Sequence, residues 1–425
     1  MPNKTLTSTE VAINAIDVLH NNSYMLKVID KQHTKEFGKT GAQIGSTFNI
    51  KRPWKPTVYR QTALVAQSFA EDMIPLTLQY PYQVGLNFTT SELSLSVQNF
   101  RKQVLNPSLP AMATAIDLDA LGLTYNGFMQ IGTPGTTPGT TGGTFSGVGG
   151  STGTINNYNS PQWPLFAGAL LDGQAAPRDG RREIILNQWA MAQTVSGLSG
   201  LLNPQASIGE QYKKGVMTEA LDFRWAMDQN VRNLLTGVRT SGSTPLVYGA
   251  SQVGANLVSN GWASGAYLNA GEIIMVQGIY HVNPENQQGL TAYYATFVVT
   301  SQCVANSSGV MTIPIYPSII PTVTTSAYGT VTASPASGAS ITLMSGTDNT
   351  YYPVNVAFHG DAFTMATADL VMPNNIDFAA RETYENISIL ITKAYDITNL
   401  QFPARCDILA GFACTRPELV TRVTG

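Results

Sequence analysis

From Leu76 to Phe88, thirteen residues alternate without a fault, and no other stretch of the 425-residue chain constrains its fold as tightly. Leu76, Leu78, Tyr80, Tyr82, Val84, Leu86 and Phe88 are apolar, whereas Thr77, Gln79, Pro81, Gln83, Gly85 and Asn87 between them are not. A period of two belongs to a strand with one apolar face. At ~3.3 Å per residue the run would reach roughly 43 Å, far beyond the usual strand of about five or six residues. Phe48, Ile50, Arg52 and Trp54 share its parity, which predicts a hairpin from Ser46 to Thr89 with its tip around Pro56 to Pro75. Pro81 has no amide to give a ladder, so its strand lies at an edge or turns that position to the unpaired side. A two-stranded arm of this length is unstable alone and leaves an apolar face bare. The expectation is that a neighbouring molecule covers it; the alternative is an edge hairpin folded over its own core.

Composition points the same way. A chain this long can bury a large core and suggests two or three domains. Charged residues make up only 12%, against about 25% in typical soluble proteins. Gly, Thr, Ser and Asn fill the deficit, which suits surfaces that meet other protein surfaces without burying unpaired charge. A net charge of -3 exerts no pull toward nucleic acid or anionic membrane. No signal-peptide pattern opens the chain and no apolar run is long enough to span a bilayer, so folding in a cytoplasm is expected. Cys303, Cys406 and Cys414 lack CxxC spacing, and the last two would stand about 26 Å apart on an extended strand, so free buried thiols are expected.

In chain order, Thr7 and Glu10 form a capping box with Leu6 and Val11 as hydrophobic staple, which predicts a helix to about His20. Tyr24 to Lys35 reads as a second helical piece. Ser91 can cap a helix bearing Leu93, Val97, Phe100 and Val104, and Asn106-Pro107 starts another through Met112 to Leu121; two pieces or one long kinked helix fit equally. Gly132 to Thr154 is almost wholly Gly, Thr, Ser and Pro, hence a loop. Trp163 to Leu171 has helical spacing, and the turn Pro177 to Arg182 feeds the strand Glu183 to Leu186. Helix and loop should continue to Leu235. From about Gly242 short strands alternate with turn signals: Ile273 to Val282, Thr291 to Val304, Val310 to Tyr316, Thr322 to Val331 and Ser340 to Met344, a small inserted β-barrel or sandwich. Two more strands close the chain, Ile387 to Ala394 and Ala404 to Thr415.

Nothing assembles into a catalytic site. Gly38-Lys39-Thr40 echoes a phosphate-binding loop, but His33 stands where the first glycine belongs. His20, His33, His281 and His359 have no metal-binding spacing and read as polar surface or capping residues. Asp117 and Asp119 diverge on a helix. Arg178, Arg181 and Arg182 form the tightest basic cluster, either a solvated turn or an ion pair across a subunit boundary.

At this point order and residues together resemble a known family. The run Asp396-Ile397-Thr398 through Cys406, Leu409, Ala410 and Thr415-Arg416-Pro417-Glu418 is similar to the last strand and terminator of Hong Kong 97-type phage major capsid proteins, nearest to the coats of short-tailed Salmonella phages. Ala270 to Ile273, Ala295 to Val299, Gly309-Val310 and Ile313-Pro314 resemble that family's insertion domain, and Pro177 to Leu186 a recurring turn and strand. The resemblance implies an α+β Hong Kong 97-type fold: residues 1–40 an N-terminal arm, 41–90 the extended loop, 91–131 the peripheral domain's spine helix, and 132–241 the axial domain. Residues 242–352 would be an inserted all-β barrel, 353–384 the return to the core, and 385–425 the peripheral strands.

The function implied is that of a major capsid protein of a tailed phage. It would self-assemble as hexamers and pentamers into an icosahedral shell around double-stranded DNA. Scaffolding and portal proteins would be its partners, in a procapsid built in the bacterial cytoplasm that expands on packaging. Contact with the DNA would be weak and non-specific, and no membrane, cofactor, metal or enzymatic activity is implied. Arg52, Trp54, the face Leu78, Tyr80, Tyr82, Val84, Leu86 and Phe88, and Arg178, Arg181 and Arg182 are the candidate subunit contacts. The alternative is a phage fibre or adhesin-like binding module.

Overall fold

The alternating run does not stay one strand. In the computed structural model Met73–Thr77 closes the hairpin with Thr47–Lys51, placing Phe48 opposite Leu76 and Ile50 opposite Ile74. Tyr82–Thr89 turns away and pairs antiparallel with Gln401–Cys414 of the same chain. The structure describes residues 23–33, 45–52, 62–64, 66, 73–78, 81–89, 106–132, 144–148, 151–154, 158, 162–198, 219–239, 244–322, 329–373, 376, 378–384, 386–399 and 401–424. The expected helices at 7–20 and 91–104, the Gly38 to Thr40 loop, Trp54 and Tyr80 lie outside them. These residues divide into two compact units, one drawn from Met1–Arg52, Glu71–Leu123 and Phe363–Thr415, the other from Pro53–Ala70, Thr124–Ala362 and Arg416–Gly425.

The first unit is organised by the fourteen-residue strand Gln401–Cys414. Its C-terminal half, Leu409–Cys414, pairs with Phe363–Ala368; its N-terminal half pairs with Tyr82–Thr89 on one side and Ile387–Lys393 on the other, the latter carrying Phe378–Tyr384 outside it. The hairpin lies against this sheet, with Ile50, Leu76 and Leu78 packed on Ala366, Ala368, Leu409 and Ala413. The base of the hairpin thus rests on its own chain, as the alternative reading expected. A two-stranded ribbon is marginal, whereas added strands and an apolar face to rest on make it stable. Glycine at position 411 allows the approach, since a Cβ there would stand 2.5 Å from the carbonyl oxygen of Thr77.

Asn106–Gly122 is one helix with Pro110 inside it. It buries Leu109, Met112, Ala113, Ile116 and Ala120, spaced three and four apart as a core-facing stripe requires. Asp117 is also buried and accepts from Ser23 Oγ and, at 3.2 Å, from the amide of Met25. The second helical piece shrinks to the single turn Met25–Val28. Beyond it the chain is extended, and Asp30 exchanges backbone hydrogen bonds with Phe363 and Met365.

In the second unit a six-stranded sheet runs in the order Met129–Ile131, Val420–Val423, Asn355–His359, Arg182–Leu186, Phe223–Met227, Glu219–Ala220. The helix Gln162–Gly173 contributes Trp163, set edge-on to Trp225 at 5.3 Å. A second six-stranded sheet follows the order Leu246–Val247, Gly254–Asn260, Met311–Ile319, Gly289–Val299, Ile273–Val282, Ile341–Leu343. Its two edges meet: the amide of Val247 donates to Ala339, that of Gly338 to Val247 and that of Ile341 to Pro245. The insertion is therefore a closed barrel rather than a sandwich, and closure removes the unpaired edges. Met311, Ile313, Ile315 and Ile319 alternate inward to meet Ile274, Val276, Phe297 and Val299.

Some expectations change. The expected strand Thr322 to Val331 lies for the most part outside the described residues; its two ends are joined by a backbone hydrogen bond from the Thr322 amide to the Val331 carbonyl. Gly132 to Thr154, expected as loop, contains the paired strands Thr144–Val148 and Ser151–Thr154. The stretch to Leu235, expected as helix and loop, holds the helix Gln188–Leu198 and three short strands. In these last two stretches ladder hydrogen bonds overcome weak local propensity.

Candidate functional site

The histidines are the first correction. His281 and His359 are 3% and 0% exposed, so neither is a surface residue, although His359 does cap the turn Gly360–Ala362 by accepting the Asp361 amide at Nδ1, 3.3 Å away. His281 sits in the barrel between Phe128 and Phe297, with Nε2 at 2.8 Å from the carbonyl of Thr296 and 3.0 Å from its amide. Burial pulls its pKa down to about 4 despite these hydrogen bonds. Among the described residues no group of His, Cys, Asp or Glu is placed to hold a metal ion. Asp117 and Asp119 do diverge, the first turned to Ser23 and the second accepting from the Tyr82 hydroxyl at 2.7 Å.

The arginine turn is built around Gly180, whose φ of +79° no branched residue adopts without strain. Arg182 is 1% exposed and spent within its own chain. It donates to Asp172 Oδ1 and the Ala176 carbonyl, both at 2.7 Å, and to the Pro177 carbonyl at 3.0 Å. Arg178 grips the same carboxylate from outside. Burial opposes the charge on Asp172, yet the hydrogen bonds and charges of the two arginines outweigh it and hold the pKa below its ordinary value. Arg181 pairs with Asp361 at 2.7 Å, and His359 Nε2 lies 2.9 Å from Asp179. The cluster is thus a ring of intrachain ion pairs in which Arg178 and Arg181 alone of the three keep exposed heads.

The alternating face is dispersed. Leu78 is wholly buried in its own unit, and Tyr82 and Val84 are half-buried. Leu86 and Phe88 stand opposite Ala404 and Phe402 in the ladder. Arg52 donates to the carbonyl of Thr415 at 2.9 Å. Large apolar side chains in solvent were not foreseen: Trp189 is 70%, Ile397 80% and Val371 84% exposed. Trp189 lies in the first turn of a helix that Asn187 caps through the Ala190 amide at 2.8 Å. That helix, QWAMAQTVSGL, carries no charge, the one signal that could have drawn attention to it. Ile397 is held outward by the Asp396 turn, whose carboxylate accepts from the Thr398 amide and the Asn399 side chain. The sheet face bearing Gly85, Thr392, Pro403 and Arg405 holds a groove of about 500 Å³, where Arg405 is already committed to Asp407 at 2.6 Å.

A family model described as "P22 coat protein - gene protein 5" matches residues 167–425, more than half of the chain. The chain belongs to the P22 coat protein family. It is accordingly a major capsid protein, a structural subunit that self-assembles into an icosahedral phage shell, and its fold is the Hong Kong 97-type capsid fold with an inserted barrel. The fibre or adhesin alternative is not favoured. None of the curated proteins matches the chain. Among solved structures, the chain is similar to a chain of Mycobacterium phage Che8, at 9% identity and a TM-score of 0.46, over 94% of this chain and 90% of that one. The capsid of Cyanophage P-SCSP1u is similar at 9% identity and 0.42, over 90% and 84%. The capsid of Myoviridae phage XM1 follows at 9% and 0.37, over 95% and 91%.

Proposed function

We propose that the subunit closes its shell as hexamers and pentamers through surfaces that are apolar or charge-paired rather than net charged. Scaffolding protein and a portal would direct a procapsid assembled in the bacterial cytoplasm, which expands as DNA enters. The role is structural, without enzymatic turnover. The observation that carries this reading is the exposure of Trp189, Val371 and Ile397 in a chain with only 12% charged residues. On a free monomer such side chains are a liability, whereas tryptophan in particular anchors interfaces. Arg178 and Arg181 can add charge-assisted hydrogen bonds to a neighbour without leaving a buried charge unpaired, because each already has a carboxylate. With a net charge of -3 the shell holds its genome weakly and lets it go.

The test is to express the protein alone and with the neighbouring phage genes, sediment it and image the fast fraction by electron microscopy. Closed shells are expected, and Trp189→Glu should leave a folded subunit that no longer forms them. A small, well-defined oligomer under both conditions would refute the proposal.

A further inference from the structure

The barrel and the six-stranded sheet of the second unit meet through polar side chains. Register sets Gln130 and Arg422 side by side on neighbouring strands. Gln130 Nε2 donates to the carbonyl of Met344, where the chain leaves the barrel, and Arg422 Nη1 to that of Gly271, where a barrel strand begins, each at 2.6 Å. Tyr293, on the barrel strand Gly289–Val299, donates its hydroxyl back to the Gln130 carbonyl. Glu272 is 0% exposed; it accepts the amides of Gly237 and Asn269 and lies close enough for its charge to act on Arg422.

The two chains that join barrel to sheet run side by side and are stitched together. Thr236 bonds to Thr347 and Thr350, and Arg239 to Asp348. Such a double neck tethers the barrel but is a single attachment, about which a domain can swing. Orientation needs a second attachment, and the Gln130–Arg422 seam is one.

Stability alone does not explain the choice of residues. Arg422 is 1% exposed, and burial draws its pKa down to about 10 against the raising effect of Tyr125 and Glu272. Arg422 Nε and Glu272 Oε2 take no hydrogen bond among the described residues. Apolar side chains of similar volume commonly do as well or better than a buried ion pair. A guanidinium on a carbonyl supplies direction, which an apolar contact lacks.

We propose that Arg422, through its hydrogen bond to the Gly271 carbonyl and with the buried carboxylate of Glu272 nearby, is a positioning residue that sets the orientation of the inserted barrel on the sheet and, through it, the curvature at which subunits meet. The second half rests on the shell-forming role; the first stands without it. The test removes both charges together in R422M/E272Q. The double variant should melt as one cooperative unit near the wild-type temperature, while hydrogen exchange at Asn269 to Glu272 rises at least tenfold. Its assembled products should spread in diameter or turn tubular, whereas R422K, which keeps a cation and a donor, should retain a single diameter. Uniform shells with wild-type exchange from the double variant overturn the proposal. So does a double variant that fails to fold, because the pair would then be a stability element. Were wild type to form no shells, the shell-forming role would fall, yet the exchange measurement would still decide whether the seam holds the barrel.

Discussion

Replacing Gly411 by alanine tests the packing of the hairpin on its own sheet. The added Cβ would stand 2.5 Å from the Thr77 carbonyl oxygen and 3.3 Å from Leu76 Cδ2. An ordinary carbon–oxygen contact is ~3.3 Å, so backbone must move by roughly 0.8 Å. Absorbing that shift as overpacking costs about 1–3 kcal/mol. Lifting the hairpin instead would expose Ile50, Leu76 and Leu78 at ~1.5–3 kcal/mol each, or about 5–9 kcal/mol together as an upper estimate. The smaller cost wins, so G411A should remain folded, lose about 1–3 kcal/mol and melt several degrees lower. Valine is branched and leaves less room to adjust, so G411V should release the hairpin. Urea denaturation of the monomer reads the first effect, and the rate of tryptic cutting after Lys51 reads the second. If both variants keep the wild-type midpoint and cutting rate, the Thr77 carbonyl does not lie over Gly411 and the packing argument fails.

The barrel should weaken with acid through His281. The unfolded chain protonates this residue near 6.5 and the folded one only near 4. Between those values the unfolded state holds more protons, so stability falls as pH drops across the window, by up to roughly 3 kcal/mol. Denaturant midpoints at several pH values should show this slope for wild type and a flatter one for His281→Asn; parallel profiles would rule it out. Arg182→Met strips a buried cation from Asp172 and two carbonyls and should cost ~3–5 kcal/mol, whereas Arg178→Ala should barely move the melt. Equal effects would mean that burial does not distinguish the two. Asp117→Ala leaves the buried Ser23 hydroxyl and Met25 amide without their acceptor and should cost ~1–3 kcal/mol, with faster amide exchange over 23–30; unchanged exchange there would show that the helix does not hold this segment.

Periodicity carried a good part of the fold. Ile273–Val282 lies where alternation and turn signals put it, and so, within a residue or two, do Arg182–Leu186, Gln162–Gly173 and Ile387–Lys393. These are local properties: side-chain period and turn chemistry act within a few residues. The short strands Leu246–Val247 and Val420–Val423 escaped notice because a few residues carry no period.

What the sequence by itself determined was which side chains share a face; only the tertiary structure decided what each face meets. The thirteen alternating residues have one parity throughout, yet Leu76 and Leu78 pack on the sheet while Tyr82–Thr89 joins it as a strand. Period cannot tell these apart, because pairing partner is a long-range choice between edges. The same limit separates Arg182, buried and committed, from Arg178 four residues earlier at the surface. It also hid Trp189, since a tryptophan in an uncharged helix reads as core until the rest of the chain fails to cover it.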